Sequence, residues 1–221
     1  MIAPNMPSTT TTEDVPPIMH MVWFGSPTPE HISRVWDTWE KELPRGWRLE
    51  RWDDERIRED SLLMAVVKSF PELTPRGTVD MLRLWIISTR GGVYMDSDAL
   101  PMRDLDSLAN RPAWIGSSPT TDTNRVLINA FFGMPKQHPF LAHVYTMATH
   151  QYDRGVRNDH YVAGPQTFRR AHNSAPEPRP ELDRGFVLIH TAQVKGMARG
   201  HRPIDTEALR QTIPDYKVVH P

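Results

Sequence analysis

The chain has 221 residues, enough for one domain with a sizeable core, and its 26 lysines and arginines face 27 aspartates and glutamates, a net charge of -1. That balance excludes a global attraction to nucleic acid or to an anionic membrane, so any anionic ligand has to be held locally. There is no cysteine, hence no disulfide and no thiolate metal ligand or nucleophile, and no segment approaches the run of about 18 apolar residues that a membrane span needs.

The opening MIAPNMPSTTTTEDVPP lacks the basic start and apolar centre of a signal peptide, and a soluble, cytoplasmic protein is expected. Residues 1–16, rich in threonine and proline, read as a disordered tail, and the domain is expected to span residues 17–221. Residues 18–24 form an apolar run ended by Gly25-Ser26-Pro27, which suits a buried strand stopped by a turn. Thr28-Pro29 then has the form of a helix N-cap with proline in the first helical position, and Ile32, Val35, Trp36, Trp39 and Leu43 follow at helical spacing. The alternation of residues 47–52 predicts a second strand, and Asp53-Asp54 predicts the cap of a helix running toward Phe70.

From Thr78 the residues Val79, Leu82, Trp85 and Ile86 predict a helix closed by Gly91-Gly92, where glycine supplies the positive φ, and Val93-Tyr94-Met95 predicts the strand that follows. Strands over 126–132 and 186–189, a helix over 139–152 and an extended loop over the proline-rich 173–180 complete the reading. No internal repeat is present. Alternating elements of this kind predict an α/β sheet with ligands at the carboxyl ends of its strands.

The chemistry concentrates where the strand 93–95 ends in Asp96-Ser97-Asp98. Two carboxylates at a strand exit can turn their oxygens toward one hard cation, Mg²⁺ or Mn²⁺, and such ions bridge carboxylates to a diphosphate. The alternative for the bare triplet is a solvated turn. Upstream, Asp80 and Arg83 stand three apart on one helical face. They are either a surface ion pair or a hydroxyl acceptor beside an anion clamp. Arg76 is either a further charge near phosphates or a surface residue, and Trp23 either faces a nucleobase or belongs to the core.

Several segments together resemble the DXD-containing glycosyltransferases, a group that includes yeast-type α-mannosyltransferases, capsular polysaccharide glycosyltransferases and, more distantly, the clostridial glucosylating toxins. They are Ile18-Met19-His20-Met21-Val22-Trp23-Phe24-Gly25, Arg51-Trp52-Asp53-Asp54-Glu55, Val79-Asp80-Met81-Leu82-Arg83 and Gly91-Gly92-Val93-Tyr94-Met95-Asp96-Ser97-Asp98. Asn129-Ala130-Phe131-Phe132, Lys136-Gln137-His138-Pro139 and Gly164-Pro165 extend the likeness.

The resemblance implies a GT-A-type, Rossmann-like single domain with a mixed central sheet and flanking helices. It implies a metal-dependent enzyme moving a hexose from a UDP- or GDP-sugar to an acceptor hydroxyl, with retention of configuration. Val22 and Trp23 would lie against the base, and Asp80 and Arg83 would hold the sugar and its phosphate. Asp96 would touch the ribose side and the Mn²⁺ or Mg²⁺ ion, and Asp98 would ligate that ion directly. Tyr94, Ser97 and Asn129, from the matched segments, join the donor-binding set. His220 is expected as the third metal ligand, with His190 as its rival, and the tryptophan that follows this histidine in the group has no counterpart before Pro221. Two other functions fit parts of the pattern. One is a magnesium phosphohydrolase of the haloacid-dehalogenase type, in which the first aspartate of the triplet attacks phosphorus; the other is a nucleotide-sugar-binding protein without catalysis.

Overall fold

The computed structural model describes residues 4–8, 13–100, 106–119, 125–183 and 189–190. A mixed six-stranded sheet forms its centre, built from β1 (Ile18–Val22), β2 (Arg48–Trp52), β3 (Gly92–Met95), β5 (Trp114–Pro119), β6 (Arg125–Met134) and β7 (Glu181–Asp183). Their order is β2-β1-β3-β6-β5-β7. β6 alone runs against its neighbours; β2, β1 and β3 are parallel, and β7 is parallel to β5. A separate antiparallel pair joins β4 (Ala99–Leu100) to β8 (Ile189–His190).

Strand periodicity sorts the side chains into two cores, one on each face. Met19 and Met21 of β1, Val93 and Met95 of β3 and Phe131 of β6 point to one side. There they meet Ile32, Val35, Trp36 and Trp39 of α1 (Glu30–Glu42). The two α1 tryptophans therefore serve the core. Val22, Tyr94 and Phe132 point to the other side. They pack against α3 (Ser61–Ser69), α4 (Pro75–Arg90), α5 (Pro139–Asp153) and α7 (Pro165–Ser174). The helix expected from Asp53 toward Phe70 is two, α2 (Asp54–Glu59) and α3, broken where the Asp60 carboxylate accepts from the amides of Leu62 and Leu63 and so restarts the helix.

Two further differences from the sequence reading have plain causes. α4 begins at Pro75 rather than near Thr78, because the Thr74 hydroxyl caps it by accepting from Gly77 N at 3.1 Å. Val15, assigned to the tail, is fully buried, and its amide donates to Arg111 O at 2.9 Å. A short helix α6 (Asp159–Val162) precedes α7, and α7 runs to Ser174 before the extended segment. Of the strand expected over 186–189, only residue 189 falls among the described residues.

His20 holds the parallel strands together. Trp52 Nε1 donates to its Nδ1 at 3.2 Å, which leaves Nε2–H to donate to Gly91 O at 2.9 Å. Burial lowers its pKa to about 4, so the ring is neutral near pH 7. The two glycines beyond it answer a geometric need. Gly91 and Gly92 have φ of 68° and 110°, and a Cβ on Gly92 would stand 2.5 Å from Ile18 O.

Candidate active site

The carboxyl ends of β1 and β3 open with the N-terminus of α4 onto a cleft of about 880 Å³. Val22, Trp23, Phe24, Gly25 and Ser26 form one wall, Pro75, Arg76 and Val79 of α4 another, and Arg83, Tyr94 and the Asp96-Ser97-Asp98 turn the floor. The spacing of 76, 79 and 83 is that of one helical face, which is why these three reach the cleft.

The acidic turn is held from four sides. Asp96 N donates to Ala130 O of β6 at 2.9 Å, and Ala99 N returns to Asp96 O at 3.0 Å, closing the turn. Ser97 Oγ donates to Val22 O at 2.7 Å, and Trp39 Nε1 of α1 donates to Ala99 O at 2.8 Å. Both carboxylates thereby sit in the lining of one cleft.

Beneath them runs a buried polar chain. Tyr94 Oη donates to Asp96 Oδ1 at 2.9 Å, and Arg83 Nη1 stands 3.3 Å from the same oxygen while donating to Asn129 O at 2.7 Å. Arg83 Nη2 pairs with Asp80 Oδ1 at 2.5 Å, and Asn129 Nδ2 donates to that oxygen at 3.0 Å. The Arg83 guanidinium also lies 4.5 Å from the Tyr94 ring centre. Burial opposes charge on Arg83, but the neighbouring Asp80, Tyr94, Asp96 and Asp98 outweigh it and hold its pKa above the ordinary arginine range. Burial pushes Asp80 up to about 6, with Arg83 opposing the rise. Burial raises the Tyr94 phenol as well, so it stays a donor to Asp96.

The expected site residues thus come together, with differences of role. Val22, Trp23, Arg83, Tyr94, Asp96, Ser97 and Asp98 line the cleft. Asp80 and Asn129 do not; both are buried behind Arg83, and one step around α4 from Val79 turns Asp80 inward. Trp23 is half-buried in the wall, its Nε1 donating to Ser26 Oγ at 3.2 Å. His220 lies outside the described residues. The β8 backbone sets His190 opposite Ala99, the residue that follows Asp98 in the chain. Phe24, Ser26, Pro75 and Val79 were not anticipated as lining residues, although the Thr74-Pro75 cap signal would have brought the α4 wall into view.

The donor set fits a hard divalent ion. Two carboxylates face open space that water and phosphate oxygens could complete, and Asp96 Oδ2 takes no hydrogen bond among the described residues. Among those residues no group of three potential protein ligands is assembled, and Asp96 and Asp98 are the two carboxylates that line the cleft. Buried Arg83 Nε also has no hydrogen-bond partner among the described residues, a donor that suits an anionic oxygen rather than the cation.

A mixed sheet with one reversed strand, and an Asp-x-Asp turn at the exit of its central parallel strands, give an α/β domain of the GT-A fold. Residues 29–114 match the family described as "Glycosyltransferase sugar-binding region containing DXD motif". The chain is 29% identical over 163 residues to inositol phosphoceramide mannosyltransferase 1 of Schizosaccharomyces pombe, covering 69% of this chain and 50% of that protein. It is 31% identical over 139 residues to inositol phosphoceramide mannosyltransferase 3 of the same yeast, covering 59% of this chain and 36% of that protein. The chain therefore spans half or less of these curated relatives. Among solved structures, the PaToxG glycosyltransferase superposes with a TM-score of 0.57 at 19% identity, over 72% of this chain and 69% of that one. The UDP-bound glycosyltransferase domain of the YGT toxin superposes with a TM-score of 0.56 at 9% identity, over 84% and 83%. These likenesses establish the fold.

Proposed function

We propose that the protein is a metal-dependent glycosyltransferase that takes a hexose from a UDP- or GDP-sugar to an acceptor hydroxyl with retention of configuration. The observation that carries this reading is the shared cleft. Asp96 and Asp98 line one 880 Å³ space with the Trp23-Phe24 wall and the Arg83 guanidinium, the three features that a metal-bound diphosphate, a nucleobase and a sugar phosphate require. The cleft is of the size that encloses a ligand of several rings.

In this reading Asp96 and Asp98 hold Mn²⁺ or Mg²⁺, with His190 or His220 as the third protein ligand. The ion supplies charge neutralisation for the departing diphosphate. Tyr94 and Arg83 fix Asp96 by its Oδ1 and leave Oδ2 toward the cleft, so the carboxylate is oriented before any ligand arrives. Arg83, kept charged by its anionic neighbours, offers its unpaired Nε–H to the donor, and Asp80 and Asn129 hold the guanidinium in place. The aromatic wall excludes water from the base. The protein contributes position and charge rather than a nucleophile. The phosphohydrolase reading has no specific observation in its favour.

A mass-spectrometric screen of UDP- and GDP-sugars with Mn²⁺ tests the proposal. Donor hydrolysis or transfer that disappears with EDTA is the expected result. Binding without turnover of any donor would leave a nucleotide-sugar-binding protein, and phosphate release from a simple phosphate ester would favour the hydrolase.

A further inference from the structure

The β1–β3 seam changes character as it enters the cleft. Met19 pairs with Val93 and His20 with Tyr94, and beyond these two positions the strands no longer pair. On its other side β1 continues, because Trp23 N donates to Trp52 O at 2.8 Å. The Val22 carbonyl, at the end of β1, receives its hydrogen bond instead from a side chain, Ser97 Oγ at 2.7 Å. Both residues are buried, Ser97 at 5% exposure and Val22 at 3%.

This one hydroxyl therefore joins the two halves of the cleft. On one side of it are Asp96 and Asp98; on the other are Val22 and the Trp23-Phe24 wall. Two other anchors of the acidic turn, Ala130 O and Trp39 Nε1, come from β6 and α1 and not from the base-side wall. A methyl in place of the hydroxyl would orphan a buried carbonyl and free the acidic turn to shift, while the wall stays held to β2 through Trp23 N and Trp52 O.

We infer that Ser97 is a positioning residue whose hydroxyl locks the acidic turn to the end of β1, so that the metal and the nucleotide meet one preformed site and tighten each other's binding. The inference rests on the donor-site reading given above. Reciprocity follows from linkage: whatever factor the metal adds to nucleotide affinity, the nucleotide adds to metal affinity.

The test uses the full chain with Ser97→Ala, and with Ser97→Thr and Ser97→Val as a pair of equal shape that differ in the hydroxyl. Free Mn²⁺ is followed by electron paramagnetic resonance, with and without UDP and then GDP, and nucleotide binding is measured separately in EDTA. The expected result is a fall of about 10-fold in the Mn²⁺–nucleotide coupling for S97A and S97V, equivalent to about 1.4 kcal/mol. Metal-free nucleotide affinity should stay within about 2-fold and S97T close to the unaltered chain, since the coupling alone is lost. Coupling unchanged in S97A and S97V overturns the inference, and so does an equal loss of metal-free binding, which would mark a general packing role. Should S97T unfold, the comparison of S97A with the unaltered chain decides by the same two criteria. If the unaltered chain binds no nucleotide in Mn²⁺, the donor-site reading itself fails and takes this inference with it.

Discussion

His20 makes the stability of the fold depend on pH in a direction that the structure fixes. The ring is fully buried, accepts from Trp52 at Nδ1 and donates to Gly91 O from Nε2, so a second proton would displace the Trp52 hydrogen bond and place a charge in the core. Its pKa falls from 6.5 to about 4 on folding. A base whose folded pKa lies below its unfolded value stabilises fully above the unfolded value, and that contribution is lost as pH falls from about 6.5 toward 4. At about 1.4 kcal/mol per pKa unit, the loss amounts to about 3 kcal/mol, a large share of the 5–15 kcal/mol typical of a domain. His138, buried at the start of α5 and also lowered to about 4, adds to the loss, while buried Asp80, raised to about 6, opposes it because its stabilising protonated form is lost as pH rises through that value. The total profile therefore mixes signs, and the difference between the unaltered chain and His20→Asn isolates one group. Urea unfolding of both at pH 7.5, 6, 5 and 4 is the assay. The stability difference should shrink by about 3 kcal/mol across that range. Parallel profiles would refute the assignment of a neutral, buried His20.

Three further outcomes are expected. Asp98→Ala should reduce Mn²⁺-dependent donor turnover by about 10³-fold or more while leaving circular dichroism and the melting temperature near those of the unaltered chain; retained activity in a metal-supplemented assay would contradict the assigned ligand. Gly92→Ala should destabilise by at least about 2 kcal/mol in urea unfolding, because φ is 110° and the new methyl would meet Ile18 O, a backbone atom that cannot swing aside. Arg83→Ala should cost about 3 kcal/mol of stability at pH 8, where it strands the buried Asp80 carboxylate, and less at pH 5, where Asp80 can take a proton. The two melting curves would show that difference directly.

What could be read in the sequence, and what could not, divides along physical lines. The Gly91-Gly92 pair ahead of an apolar triplet marked the helix end and the strand start, because positive φ and close backbone approach are local demands that glycine alone meets cheaply. The acidic turn was visible for the same reason, as a polar end to a fully buried strand. β5 was invisible because its WIGSSP sequence has little strand character of its own and is held by pairing with β6 and β7. The inward rotation of Asp80 was hidden too: spacing placed it with Arg83, but only the packing of α4 against the sheet decides which of two adjacent positions meets the cleft.

That rotation bears on how a binding cleft can carry two carboxylates at its floor before a cation arrives. Asp96 and Asp98 repel each other, and Asp80 behind them adds a third negative charge. Arg83 is placed where it offsets them, pairing with Asp80 and lying close to Asp96 at once. Because the guanidinium is itself buried and held by Asn129 O, it cannot be drawn off to solvent, and the turn keeps its shape without metal. Were Asp80 absent, Arg83 would be free to pair wholly with Asp96 and would compete with a divalent ion for it. The buried carboxylate thus helps keep Asp96 available to a cation by occupying the arginine from behind, a role that needs no contact between Asp80 and any ligand.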